Sequence, residues 1–442
     1  MLASARLVSR DSGRFFFQAS RGLVLSAALV LALSAARRAQ GTPAGLFGAG
    51  PRSVALAGGG TSLALGPESV LMNPGALAEQ RDKTLVFGLR ASAMSLSLDH
   101  GGGSTPFPAE LSKALTIGVA APLISPSADG FRAALGVYAE TPPDFLVRTH
   151  LPLEGEASFP LVLGRVGALD LGVGAGIGYG PVSVGAGVEV LAALSGRRVV
   201  AGTAGSTAGA GDELLPAWGP AVGVSADLGV VGRLGVAFRS VLRADFDVDV
   251  AAPNIGGIIQ IAPLNVEGIA HYEPLKLDAE LSHPLGAFTL LAGARYERWS
   301  DLPSWVGRTV DCPPGVSCGT AEPEAPDYSD VVVPRLGVEH TFEGRRFDVT
   351  ARAGYSWVPS PAPEQYSVSN DFDATRHAFG AGYRVRFVRE MLPLELEAGL
   401  RFDWLVPRTH RKHRAEAAGP LGPEVTTSGH VVTWALAARL EL

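Results

Sequence analysis

Residues 392–404 read LPLELEAGLRFDW, and their alternation decides the fold. Leu394, Leu396, Ala398, Leu400, Phe402 and Trp404 fall on one side of an extended chain, and Glu395, Glu397, Gly399, Arg401 and Asp403 fall on the other. A period of two belongs to a strand, because successive side chains point to opposite faces. Here one face is wholly apolar and the other carries every charge. A strand of a membrane barrel has this composition: its apolar face meets lipid and its polar face meets a hydrated lumen.

Outward from this stretch the pattern recurs. Arg346–Trp357 sets Phe347, Val349, Ala351, Ala353, Tyr355 and Trp357 against Asp348, Thr350, Arg352, Gly354 and Ser356. Leu275–Ser282, Arg233–Phe246 and Val431–Leu442 behave alike, and Leu115–Ala121, Leu169–Tyr179 and Val182–Leu194 alternate more weakly. About fourteen such segments follow Thr84. The fourth is expected over Leu161–Tyr179. The connections alternate in length. Short ones fall near Gly180–Pro181, Gly229–Gly232, Pro284–Gly286, Glu343–Gly344 and Val388–Leu392; long ones include Pro142–Pro160, Asp247–Glu273, Ser300–Ser329 and Val406–His430. Short turns at one end and long loops at the other describe an antiparallel outer-membrane barrel with its short turns in the periplasm. A soluble sandwich also alternates, but the single-faced charge and the loop lengths argue against it. The lumen charges, among them Asp278, Glu280, Arg295, Arg352, Glu395, Glu397, Arg401 and Arg439, are expected to pair across neighbouring strands; anchoring of an inserted plug is the sharper alternative. Tyr296, Tyr355, Trp357 and Trp404 fall at strand ends, as an aromatic girdle requires.

Before the strands comes a different stretch, GLFGAGPRSVALAGGGTSLALGPESVLMNPGALAEQ, residues 45–80. It has neither strand alternation nor a long helical period. Its glycines permit tight bends and close contacts. Asn73 suits a helix N-cap and Pro74 a first helical position, so Pro74–Glu79 is expected to open as a short helical turn. The expected organisation is a signal peptide over 1–40, a plug over 41–83 and a transmembrane barrel over 84–442. The leader rests on the apolar run Gly22–Ala36 behind Arg6, Arg10, Arg14 and Arg21, with small residues between Ser34 and Gly41 for cleavage. The run is too short for a spanning helix.

Composition agrees: 55 of 442 residues are Gly and only 18% are charged. A net charge of −6 argues against nucleic acid as a partner. No motif supports catalysis, a cofactor or a metal site. The glycine runs Gly58–Gly60 and Gly101–Gly103 do not open a phosphate loop, and no serine is singled out beside an oriented histidine. Cys312 and Cys318, the only cysteines, lie close together in a long loop and are expected to form a disulfide.

Several pieces in order resemble the FadL-like outer-membrane transporters of long-chain fatty acids and other hydrophobic compounds. VLMNPGALAEQ is similar to the family's N-terminal hatch, WGPAVGVSADLGVVGRLGVAFRSVLRADFDV to its mid-barrel hairpin, and YERWSD, RLGVEHTF, RAGYSWVPSPAPEQ and TRHAFGAGYRV to its later strands. The resemblance implies a fourteen-stranded barrel closed by a hatch, ligand capture by outer loops, an apolar pocket and lateral exit into the membrane near the third strand. It carries Asn73, Pro74 and Gly75 over as hatch and gating residues. Leu135, Gly136 and Val137, within Phe131–Thr141, become the candidate exit strand, where Gly136 would relax pairing. Gly75 stands where the family usually has Ala, and the chain ends on Leu442 where such barrels often end on an aromatic. The expected function is passive uptake of long-chain fatty acids or similar hydrophobic molecules. The partners are then such a molecule and outer-membrane lipid, and the protein is expected to be a monomer in the bacterial outer membrane. The alternatives are a barrel scaffold for protein secretion or surface attachment, and a barrel enzyme or polar-solute porin.

Overall fold

A computed structural model describes residues 46–107, 110–124, 130–143, 157–163, 169–198, 210–250, 264–303, 306–310, 326–365, 370–387, 393–411 and 423–442. The expected leader, residues 1–40, and the expected disulfide, Cys312–Cys318, lie outside them.

Fourteen antiparallel strands close into a barrel, and a four-residue strand, Gly103–Pro106, pairs beside the first as a fifteenth member of the sheet. The barrel strands are β1 Thr84–His100, β2 Glu110–Ile124, β3 Phe131–Thr141, β4 Leu169–Tyr179 and β5 Val182–Arg198. There follow β6 Ala210–Asp227, β7 Arg233–Arg239, β8 Leu275–Leu285, β9 Phe288–Arg298 and β10 Val331–Phe342. The last are β11 Phe347–Val358, β12 Arg376–Phe387, β13 Leu394–Arg411 and β14 Glu424–Glu441. β14 returns to β1 in an unbroken register from Thr84↔Glu441 to His100↔Val425. Closure leaves no edge of unpaired backbone groups, which the hydrocarbon of a bilayer would penalise heavily.

The face assignment made from residues 392–404 holds. In β13 Glu395, Glu397, Arg401 and Asp403 are buried in the interior, while Leu396, Leu400, Phe402 and Trp404 are exposed on the outer wall. β11 is alike, with Thr350, Arg352 and Ser356 inside and Phe347 and Trp357 outside. Leu336, Phe379, Leu436 and Phe87 extend the same apolar coat around the barrel. An apolar outer wall without hydration partners is a lipid-facing wall.

Two expected strands are corrected. The fourth begins at Leu169, not Leu161, because Pro160–Leu163 forms a short helical turn, α3, after its proline. The continuous strand read over Arg233–Phe246 divides at Ser240. β7 stays in the wall, and Leu242–Val250 leaves it to pair with Leu264–Glu273, which pairs in turn with Val306–Val310 in a separate three-stranded sheet. The alternation slips at the break, where Ser240 falls on the apolar face and Val241 on the polar one, but it resumes in the same phase at Leu242, so the stretch reads as one strand. Strands β13 and β14 also run further toward the long loops than the sequence suggests, with Arg408↔Thr427 pairing beyond a register shift.

The interior differs between its two ends. Toward the long loops, the inward side chains Met94, Leu96, Leu98, Leu405, Val425 and Val431 form one apolar cluster with Phe159, Val162, Phe372 and Ala374. A second cluster joins Leu161, Ile269, Tyr272, Trp299, Leu302 and Tyr328. Toward the short turns lies a cavity of about 830 Å³ lined by Arg132, Arg233, Arg384, Glu395 and Arg439 among other charged side chains.

Candidate functional site

Residues 46–80 pack against inward-facing positions of the wall strands. Helix α1, Gly50–Ala55, packs against β11–β14. Helix α2, Ser69–Met72, and a 3-10 turn, Pro74–Glu79, pack against β3–β6 on the other side. The segment therefore touches both groups of strands.

Asn73 organises the 3-10 turn. Its backbone is extended, at φ −161° and ψ 95°, and its Oδ1 accepts a bond from the Gly75 amide. That bond satisfies one of the amides a helix start leaves free. Its Nδ2 donates to the Thr61 carbonyl at 3.1 Å and to the Val224 carbonyl of β6 at 3.0 Å. One fully buried side chain thus caps the turn, ties it to the preceding loop and ties both to the wall. Pro74 fills the first position of the turn, where no amide is needed.

The wall beneath the turn is paved with glycine. A Cβ on Gly185 would overlap the Pro74 carbonyl, and one on Gly176 would lie 2.6 Å from the Ala78 nitrogen. The fit is reciprocal: a Cβ on Gly75 would lie 2.7 Å from the Gly223 oxygen. This is the physical reason for glycine at position 75. Gly136 of β3 faces inward too, and a Cβ there would meet Leu77 at 2.7 Å and Val70 at 2.9 Å. Its neighbours Leu135 and Val137 face lipid. The ladder is continuous at this point, Gly136 standing between Ala120 of β2 and Gly174 of β4. Here glycine serves the approach of the inserted segment.

The opposite half of the seat is ionic. Arg52 of α1 forms a two-bond pair with Glu339, both at 2.8 Å, and Arg352 at 3.1 Å shares that carboxylate. Arg439 grips Glu68 at 3.0 and 3.1 Å, and Arg233 pairs with Glu79. Glu280 accepts from the Gly60 and Ser62 amides at 2.8 and 3.0 Å and from the Ser62 hydroxyl at 2.7 Å. Arg335 and Ser356 donate to the Gly58 and Ala57 carbonyls at 2.6 and 3.0 Å. Burial pushes the Glu68 carboxyl up from its ordinary value, against the opposing pull of Arg439.

Both sequence-level readings of the lumen charges therefore have members. Arg295 with Asp278, and Arg352 with Glu397, pair within the wall. Glu280, Arg439, Arg335 and Glu339 reach the inserted segment. The last two were missed from sequence, although the alternation of VVVPRLGVEHTF places both on the face of Val331 and Val333.

No family model matches the chain, and no curated protein matches it in sequence. Solved structures match its fold. A FadL homologue of Pseudomonas aeruginosa aligns over 89% of this chain and 100% of its own, with a TM-score of 0.57 at 14% identity. The toluene transporter TbuX of Ralstonia pickettii aligns over 90% of this chain and 99% of its own, with a TM-score of 0.50 at 17% identity. The P. putida toluene transporter TodX aligns over 90% and 99%, with a TM-score of 0.50 at 14% identity. Likeness at such identity is likeness of fold, and the fold, a closed fourteen-stranded barrel with a lipid-facing wall, is that of the FadL-like outer-membrane channels.

Proposed function

We propose that the protein is a passive outer-membrane channel for hydrophobic small molecules, in which residues 46–80 act as a hatch and the ligand leaves sideways through the wall. The observation that carries this reading is the change of polarity along the bore. The long-loop half holds a large apolar cluster, through Met94, Leu96, Leu98, Phe159 and Phe372. The short-turn half is charged, through Arg132, Arg233, Arg384, Glu395 and Arg439. An apolar molecule gains by leaving water for the first region and loses by entering the second. The inserted segment stands between them. The favourable way on from the apolar half is through the wall into lipid.

The proposed exit is at Leu135–Val137. There the inner wall is thinnest, since Gly136 and its β4 neighbours Gly174 and Gly172 contribute no side chains. Withdrawal of Val70 and Leu77 uncovers this patch, and parting of β3 from β4 opens it. Long-chain fatty acids are one member of the proposed ligand class, toluene-sized aromatics another. The neighbours named as toluene transporters support the second.

Val137 stands opposite Val173 in the register. A disulfide between Val137→Cys and Val173→Cys should abolish uptake of a hydrophobic probe into liposomes, and reduction should restore it. Uptake unaffected by the cross-link removes the exit; no uptake by wild type under any condition removes the channel.

A further inference from the structure

We propose that the inner wall of β3 and β4 holds a subsite for a protonated amine, so that the preferred ligand is an apolar molecule with an ammonium head. This deepens the channel reading above and rests on it.

Alternation turns Tyr138 and Glu140 of β3, Asp170 of β4 and Glu189 of β5 into the bore, where all four are buried. The register sets Glu140 directly opposite Asp170, and Tyr138 opposite Gly172, which in turn stands opposite Glu189. Like charges placed opposite each other weaken a ladder. Arg90 of β1 pairs with Glu140 through Oε1. Asp170 stands beside that pair on the neighbouring strand.

The orphaned atoms say what this wall would accept. Asp170 has no exposed surface, and neither of its carboxylate oxygens has a hydrogen-bond partner. Glu140 Oε2 is buried and unpartnered as well. An uncompensated buried carboxylate is costly. These acceptors suit an ammonium, which has three N–H donors and one positive charge. A metal ion suits the site poorly, because no group of three His, Cys, Asp or Glu among the described residues could hold one. A carboxylate head would add another acceptor and another anion beside Asp170. Beside the acids, Val70 and Leu71 of the inserted segment press on Gly172, at 2.7 and 2.8 Å from where a Cβ would stand. They belong to an apolar cluster with Leu77, Ala120 and Tyr138. When the segment yields, an apolar tail takes their place and the ammonium reaches Asp170.

The test is titration calorimetry of the full chain in detergent at neutral pH, with dodecylammonium, dodecanol and dodecanoate as probes. Wild type should bind dodecylammonium about tenfold more tightly than dodecanol, as a charge-assisted hydrogen bond allows, and dodecanoate least. Asp170→Asn keeps the shape and removes the charge, and should erase the amine's advantage. Glu343→Gln makes the same charge change at an exposed short turn and should keep it. Equal binding of amine and alcohol by wild type, or an advantage that survives Asp170→Asn, overturns the subsite alone. Failure of all three probes to bind overturns the channel reading and the subsite with it.

Discussion

At the scale of the residue, the seat of the inserted segment depends on a few side chains. Asn73→Ala removes the cap on Gly75 and the donors to Thr61 and Val224. It should loosen the segment by about 0.5–2 kcal/mol, visible as faster hydrogen exchange over residues 69–80 with little change in the melting of the barrel. Arg439→Ala strips the buried Glu68 carboxylate of its two-bond partner. Removing one member of a buried pair costs about 3–5 kcal/mol, and the charged cavity beside this one should bring the loss toward the lower figure. The same exchange measurement over residues 60–72 reports it. Gly185→Val tests the opposite failure, too much side chain instead of too little. Its first carbon already overlaps the Pro74 carbonyl, so the 3-10 turn cannot seat. Small polar solutes should then leak through the variant in liposome swelling; a tight variant would show that the turn does not close the bore.

At the scale of the element, each barrel strand is defined by which face meets lipid. Leu396 faces outward and Glu397 inward on β13. Leu396→Arg should cost about 2–4 kcal/mol if it lies near mid-bilayer and less toward an interface. Denaturant unfolding in lipid vesicles measures the cost. Single cysteines at the two positions should separate, a lipid-soluble thiol probe labelling Leu396→Cys and sparing Glu397→Cys; equal labelling would reverse the faces. The inserted segment obeys other rules. Its helices α1 and α2 have six and four residues, far below the length that is stable alone in water. They hold their shape through the wall, by glycine contact on one side and ion pairs on the other. Deleting residues 46–80 should therefore leave the barrel's exchange-protected strands intact while opening the bore to small solutes.

At the scale of the molecule, closure through β14 and β1 gives every strand two neighbours and makes an interior out of what would otherwise be a polar sheet face. That interior is graded, its largest apolar clusters lying toward the long loops and its charged cavity toward the short turns. A gradient of this kind favours entry of apolar molecules and opposes their axial passage.

The class of fold was legible in the sequence because a barrel strand states its two environments residue by residue, and LPLELEAGLRFDW states them without exception. The strand count followed from repetition, and the end carrying the short turns from loop length. The departure of Leu242–Val250 from the wall left only a local mark, Ser240 and Val241 on exchanged faces, because the alternation resumes in the same phase beyond the bend. Two relations needed the closed barrel. Partners such as Arg52 and Glu339 are 287 residues apart, and a period of two names a face but not the strand across the bore. The meaning of Gly136 and Gly185 was hidden likewise, because a glycine in a strand announces missing bulk and only the tertiary structure says what fills the space. Composition and alternation decided which side of the chain meets lipid. The three-dimensional closure decided what meets inside, because those contacts join residues that no local pattern links.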